Sequence, residues 1–402
     1  MSAIVIIGAG QAGASLAAKL RASGHHGTIT MIGEEPAPPY QRPPLSKAYL
    51  LGEMELERLY LRAPSFWEEQ NVTLKLGAPV TAIDRSARTV RVGGESIAYD
   101  QLALTTGSRP RRLPAAIGGD LPGVYTVRTL ADVDAMAAEF RPGRRLLVVG
   151  GGYIGLEAAA VGAKLGLKVT VIEMAPRILQ RVAAPETSDY FRNLHAAHGV
   201  TILENTGLDR LTGEGHVSGA TLSDGREIDV DFAIVGVGIT PCTLLAEEAG
   251  LEIENGIRTD AYGRTSDPHI WAAGDCASFP HDGGRIRLES VGNAIDQAEV
   301  VAANLLGAET PYVAKPWFWS DQYDTKLQIA GLNTGYDRIV TRPGDGGAVS
   351  FWYYRGDTLL ALDAMNDARA YMIGKRLIEA GKSPDPVLIA DPTADLKPLL
   401  KA

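Results

Sequence analysis

The strongest constraint on this chain is a duplication. Residues 4–24 read "IVIIGAGQAGASLAAKLRASG" and residues 146–166 read "LLVVGGGYIGLEAAAVGAKLG". Each copy opens with an apolar run of strand length, passes through Gly-x-Gly-x-x-Gly, and continues into an Ala- and Leu-rich stretch of helical length. The glycines are Gly8, Gly10 and Gly13 in the first copy and Gly150, Gly152 and Gly155 in the second. A second strand pattern follows each, "TITMIGE" (28–34) and "KVTVIE" (168–173), and each ends in an acid, Glu34 or Glu173. This order predicts an α/β fold with two Rossmann-like dinucleotide-binding domains. The first glycine makes the turn, the second lets backbone N–H groups approach a pyrophosphate, and the third lets the helix pack on the strand. The helix N-terminus then faces the phosphates, and the acids accept hydrogen bonds from ribose hydroxyls. A single glycine loop is weak evidence of a ligand. Two in full context, each with its acid, point to two dinucleotides. Glu173 would repel a 2′-phosphate and no arginine follows it immediately, which favours NADH over NADPH; Arg177 and Arg181 lie close enough in sequence to weaken that preference.

At 402 residues the chain suits two or three domains. A formal net charge of −9 argues against nucleic acid or an anionic membrane as partner. No apolar run approaches the ~18 residues needed to span a bilayer. The start "MSAIVIIGAG" enters a strand without the charged region of a signal peptide, so a cytoplasmic location is expected. Cys242 and Cys276 are the two cysteines, with no CxxC or metal-type cluster, so neither a stapled secreted fold nor a metal site is expected.

Four further regions carry information. "YDQLALTTGSRPRRLP" (99–114) gives a strand, then Thr106-Gly107, then basic residues; "HIWAAGDCA" (269–277) gives a strand ending at Gly274-Asp275. A carboxylate at such a strand end can bind a ribityl or ribose hydroxyl, and each segment alone reads equally well as an ordinary strand end and turn. Residues 325–364 alternate through "KLQIAG", "DRIVTR", "AVSFWYY" and "TLLALDAM", and "DARAYMIGKRLIEAG" (367–381) is helical, which predicts a C-terminal α+β domain. By itself that domain could serve packing or dimerisation. "RPPLSKAYL" (42–50) holds Lys47 behind two prolines in a stiff loop.

In order, the first glycine motif, "TTGSRPR", the second motif followed by "VGVGITP" (235–241), and "AAGDCA" resemble the two-dinucleotide-binding flavoprotein disulfide-reductase superfamily, with its glutathione-reductase-like fold, over nearly the whole chain. The resemblance implies FAD at the N-terminal motif and NADH at the second. It implies a discontinuous FAD-binding domain at 1–110 and 241–315, an NADH-binding domain at 111–240, and the C-terminal domain at 316–402. FAD contacts would be Gly8, Gly10, Ala12, Gly13, Glu34, Arg42, Lys47, Val80, Thr106, Gly107, Arg128, Asp275, Val291 and Trp319, with Arg42 and Arg128 able to pair with phosphate. NADH contacts would be Gly150, Gly152, Tyr153, Ile154, Gly155, Glu173, Arg181 and Gly238.

Disulfide reductases of this superfamily carry redox cysteines in the loop that here reads "RPPLSK", or in the pyridine-nucleotide domain; both regions lack cysteine here. Cys276 and Cys242 read as small core residues. "RPPLSK", "PYVAKPWFWSDQY" (311–323) and "LESVGNAIDQA" (288–298) resemble the ferredoxin and rubredoxin reductase branch of bacterial oxygenase systems, and within it the reductases feeding a 2Fe-2S ferredoxin that serves a haem-thiolate cytochrome mono-oxygenase. This implies an FAD-dependent NADH:ferredoxin oxidoreductase, with hydride passing from NADH to FAD and single electrons leaving for the ferredoxin. The matching lysine, Lys47, pairs in relatives with a glutamate, here Glu157, and its charge favours the reduced flavin. Trp319 matches a position beside the flavin face, whereas Trp317 and Phe318 read as core. Candidate docking cations are Arg109, Arg111, Arg112, Lys315, Arg338 and Lys375, with Glu299 standing where relatives can carry a basic residue. The alternatives are a rubredoxin reductase and a non-catalytic NADH-responsive flavoprotein of the apoptosis-inducing-factor type. Monomer and homodimer both remain open.

Overall fold

The computed structural model describes residues 2–400. The chain divides into two compact units. One takes in the described residues up to Arg42, Glu55–Arg109 and Ile239–Pro316; the other takes in Pro43–Met54, Pro110–Gly238 and the described residues from Trp317 onward.

The first unit is built on a five-stranded parallel sheet in the order Ile270–Ala272, Gln101–Leu104, Ile4–Ile7, Ile29–Ile32, Val72–Lys75. The sheet is covered on both faces, so its first strand is apolar throughout instead of alternating. Ile4 and Ile6 join a core with the helices Gln11–Ala22 and Val291–Leu305. Val5 and Ile7 join the opposite core, which includes Val90 and Val92 of an antiparallel three-stranded sheet, Val80–Asp84, Thr89–Val92 and Glu95–Ala98.

The second unit repeats this plan. Its parallel sheet runs Thr201–Leu203, Lys168–Ile172, Arg145–Val149, Phe232–Val235, Val124–Tyr125. The motif strand again pairs with the strand that follows its helix. Leu147 and Val149 face a small antiparallel sheet, Leu208–Thr212, Gly219–Leu222 and Glu227–Asp229. The segment 43–54, expected from sequence in the first domain, belongs to this unit because its polar groups are bound there: Lys47 to Glu157, Tyr49 to Asp134, and Glu53 to Lys164.

The second unit also holds a five-stranded antiparallel sheet in the order Trp317–Gln322, Thr325–Gly331, Thr358–Met365, Val349–Arg355, Arg338–Pro343. The helix Ala368–Glu379 lies on it through Ala370, Tyr371, Ile373 and Leu377. The sequence pattern predicts the last four strands and the helix; Trp317–Gln322 adds an edge strand. In the middle of the sheet, buried Asp363 accepts hydrogen bonds from Thr187 at 2.7 Å and from the Tyr353 hydroxyl. Burial without a cation pushes its carboxyl up from 3.8 to about 6. Between those values the folded chain keeps a proton that the unfolded chain has released, so stability falls as pH rises through the window. Asp363→Asn therefore gains on the wild type from pH 4 to pH 7 by about 2 kcal/mol, read from melting curves at both pH values. A gap that does not change with pH would contradict this.

Candidate functional site

The first glycine loop is set by close backbone approaches. Gly8 has φ of +116°, and a Cβ there would lie 2.1 Å from the Thr105 carbonyl oxygen. A Cβ on Gly13 would lie 2.0 Å from the Gly8 oxygen. At Gly10, by contrast, nothing lies within 4 Å of that position. Gly10 is the N-cap of the helix Gln11–Ala22, and no side chain caps it. The loop thus presents open space against helix N–H donors, which fits a pyrophosphate.

Of the remaining FAD candidates in this unit, Ala12, Glu34, Asp275 and Val291 belong to or adjoin elements that touch the loop or its helix. Ala12 meets Gly274, the residue before Asp275, whose Cβ position is 3.0 Å from Ala12 Cβ. Asp275 accepts a hydrogen bond from Ser108 at 2.8 Å. Val291 opens the helix that packs along Gln11–Ala22. Glu34 follows Gly33, which touches Ala9, and Gly33 accepts the Ala78 N–H at 3.0 Å, bringing Val80 toward the same edge. Glu34 is exposed and paired with Arg109 at 2.6 Å. Arg42 is paired with Glu35 at 2.6 Å and stacked on Tyr40. Of the Thr-Thr-Gly segment, Thr105 is the residue that touches the loop, its hydroxyl donating to Gly8 O at 2.9 Å. Thr106 instead donates to Cys242 O at 2.7 Å, and Gly107 O accepts the Cys242 N–H. Sequence reasoning misses Thr105 and Gln297. Gln297 is buried, accepts the Gly274 N–H at 2.8 Å, and has a side-chain nitrogen with no partner.

The second loop has the same construction. A Cβ on Gly150 would lie 2.5 Å from Gly236 O, one on Gly155 would lie 2.2 Å from Gly150 O, and Gly152 faces open space. Gly152 is the uncapped N-terminus of Tyr153–Lys164. Glu173 accepts the N–H groups of Gly151 and Ala175, each at 2.8 Å, which fixes the acid beside the loop. Ile154 is exposed, whereas Tyr153 turns inward, its ring against Phe318 and its hydroxyl buried without a partner. Arg181 and Arg111 both approach Gly238, placing Arg111 with the nucleotide candidates.

The proline loop is a 3₁₀ turn, Pro43–Ser46, and not irregular coil; prolines suit its first positions because those N–H groups need no partner. It delivers two residues to Glu157. Lys47 Nζ lies 2.7 Å from Glu157 Oε2, and Ser46 donates to the same oxygen at 2.6 Å. Ser320 donates to Oε1 at 2.7 Å. Glu157 is 1% exposed, so these three donors replace its hydration. Trp319 points to the other face of the strand from Ser320, stacked on Trp317 at 5.4 Å, and both line a cavity of about 220 Å³ with Phe318, Lys326, Gln328 and Tyr371. Trp317 is therefore half-buried cavity wall, not core. Arg128 precedes a capping box, Thr129 with Asp132, in this second unit.

Neither cysteine is in a disulfide. Cys276 is fully buried, its thiol on the Leu104 and Ala273 carbonyls and pushed up by burial. Cys242 is only half-buried, against the core expectation. Among the docking cations, Arg109, Arg338 and Lys375 are paired with Glu34, Asp357 and Glu379, and Glu299 is paired with Lys19. The exposed pairs of Arg109 and Arg338 are weak, whereas Lys375 is partly buried and also lies over the Trp317 ring.

A family model described as pyridine nucleotide-disulphide oxidoreductase matches residues 2–298, and one described as reductase C-terminal matches residues 317–400. The chain is 43% identical over 399 residues to rhodocoxin reductase of Rhodococcus erythropolis, covering 98% of this chain and 93% of that one. It is 45% identical over 402 residues to a ferredoxin–NAD(P)+ reductase of Sphingomonas sp, covering 98% and 96%. Among solved structures it matches that of a covalent putidaredoxin reductase–putidaredoxin complex with a TM-score of 0.96 and 39% identity, covering 100% and 98%.

Proposed function

The chain belongs to the pyridine nucleotide-disulphide oxidoreductase family, and we propose that it is an NADH-dependent ferredoxin reductase that uses FAD and serves a 2Fe-2S ferredoxin. The ferredoxin in turn supplies a haem-thiolate mono-oxygenase. The observation that carries this reading is the Lys47–Glu157 pair: the loop that holds Lys47, and residues 111–240, lack the cysteines by which disulfide reductases of the superfamily pass electrons onward, while two open dinucleotide loops are present. When bound, FAD supplies the exchange between a two-electron hydride donor and a one-electron acceptor.

The chain's own residues bind and orient. The loops at Gly10 and Gly152 offer helix N–H groups to the two pyrophosphates, with Arg181 and Arg111 adding positive charge at the second. Glu173 holds the ribose of NADH. Asp275 and Glu34 take flavin-side hydroxyls. Lys47, held by Glu157, is a fixed positive charge ready for the negative charge that reduction creates. Buried Cys276 is a packing residue. No helix among the described residues is long and apolar enough to cross a membrane, and dependence on NADH supports a cytoplasmic setting.

The purified protein is expected to be yellow and to reduce a 2Fe-2S ferredoxin with NADH in steady-state turnover. Turnover with rubredoxin but not ferredoxin would replace the acceptor. Slow reduction with no turnover on either would replace the enzyme by a signalling flavoprotein.

A further inference from the structure

Glu157 stands at the end of a hydrogen-bond chain that runs through the second unit. Ser320 donates to Glu157 Oε1 at 2.7 Å. Gln322 Nε2 lies 3.2 Å from Ser320 Oγ. Gln322 Oε1 lies 2.8 Å from His195 Nε2, and the Tyr323 hydroxyl lies 3.0 Å from His195 Nδ1. Ser320, Gln322 and His195 are all buried. Ser320 and Gln322 share one face of the strand Trp317–Gln322, two residues apart.

The direction of the chain follows from its last member. A carboxylate paired with a lysine only accepts, so Ser320 must donate to it. Ser320 then accepts from the Gln322 amide nitrogen, which turns the Gln322 oxygen to His195. His195 must donate from Nε2, leaving Nδ1 to accept from Tyr323. Every link points its hydrogen toward Glu157, and such links polarise one another. Burial also holds His195 neutral, down to about 4, as a donor-and-acceptor link requires. Tyr323 has φ of +56°, in the left-handed region where a tyrosine is rare and persists only when its surroundings dictate it. Its ring is stacked on that of exposed His198 at 3.7 Å.

We infer that Ser320, Gln322 and His195 are positioning residues that hold the Glu157 carboxylate, and through it the Lys47 ammonium, in the arrangement needed for flavin reduction. This rests on the role assigned above to Lys47. The chain sets orientation and moves no proton in net terms.

The test combines rates with a spectroscopic readout. In FAD-loaded protein, Gln322→Leu and Ser320→Ala should each slow stopped-flow flavin reduction by NADH about tenfold, with NADH affinity unchanged. In a Lys47→Ala background the same changes should have no further effect, because they act through the lysine. Independently of activity, the ¹⁵N shifts of the His195 ring should show the Nε2–H tautomer in the wild type and a loss of that single tautomer in Gln322→Leu. Full additivity with Lys47→Ala, or a wild-type Nδ1–H tautomer, would overturn the inference while leaving the Lys47 role intact. An unchanged rate in Lys47→Ala alone would remove that role and the inference with it.

Discussion

Lys47→Ala should slow NADH-dependent flavin reduction by about a hundredfold, the range seen when one preorganised charge or donor is removed from where charge develops. The side chain is only 17% exposed, and its partner Glu157 is 1% exposed. The attraction is therefore little screened by solvent, and neither group is replaced by water without cost. Ser46 and Ser320 remain on Glu157 after the substitution, but hydroxyls supply no charge. Glu157 is left buried without a cation, so the variant should also melt earlier, by the equivalent of about 3 kcal/mol. The two effects are separable. Lys47→Met keeps most of the side-chain bulk and loses the charge, so it should reduce as slowly as the alanine variant. A methionine variant with the wild-type rate would show that the lysine acts by filling space, and the electrostatic role would be withdrawn.

What can be read in the sequence follows from how local the cause is. Gly8 and Gly13 are legible because a turn and a helix–strand contact five residues apart admit no side chain, and that restriction leaves the same glycine spacing at Gly150 and Gly155. The C-terminal strands are legible because their alternation has a period of two. The Lys47–Glu157 pair joins residues far apart in the chain and is visible only through resemblance to a family. The donors that complete it, Ser46 and Ser320, lie in plain view, yet a serine beside a buried carboxylate leaves no spacing rule. The same holds for Thr105 and Gln297, which brace the first loop through backbone groups. Arg42 reads as a phosphate ligand from its charge, but the sequence does not show that Glu35 pairs with it. Tyr153 reads as facing the nucleotide from its place in the motif, and its hydroxyl instead turns toward the interior.

The two loops make the sharpest separable prediction, since the same substitution should remove a different ligand in each. Gly10 has φ of −96° and Gly152 has φ of −82°, extended conformations that valine adopts readily. At neither position does a protein atom lie within 4 Å of where a Cβ would stand, so Gly10→Val and Gly152→Val should fold. The new side chain would occupy the space left for a pyrophosphate. Gly10→Val is expected to purify folded but colourless, with FAD lost. Gly152→Val is expected to purify yellow, with an NADH affinity lowered at least about a hundredfold, a loss of roughly 3 kcal/mol. Its flavin should still be reduced by dithionite, which needs no nucleotide site. Gly13→Ala provides the contrast: its Cβ would lie 2.0 Å from the Gly8 oxygen, so it should lose FAD together with thermal stability. Circular dichroism, the flavin spectrum and an NADH titration distinguish the three. If Gly10→Val kept its FAD, or if Gly152→Val lost FAD and kept NADH, the assignment of the two loops would have to be exchanged or abandoned.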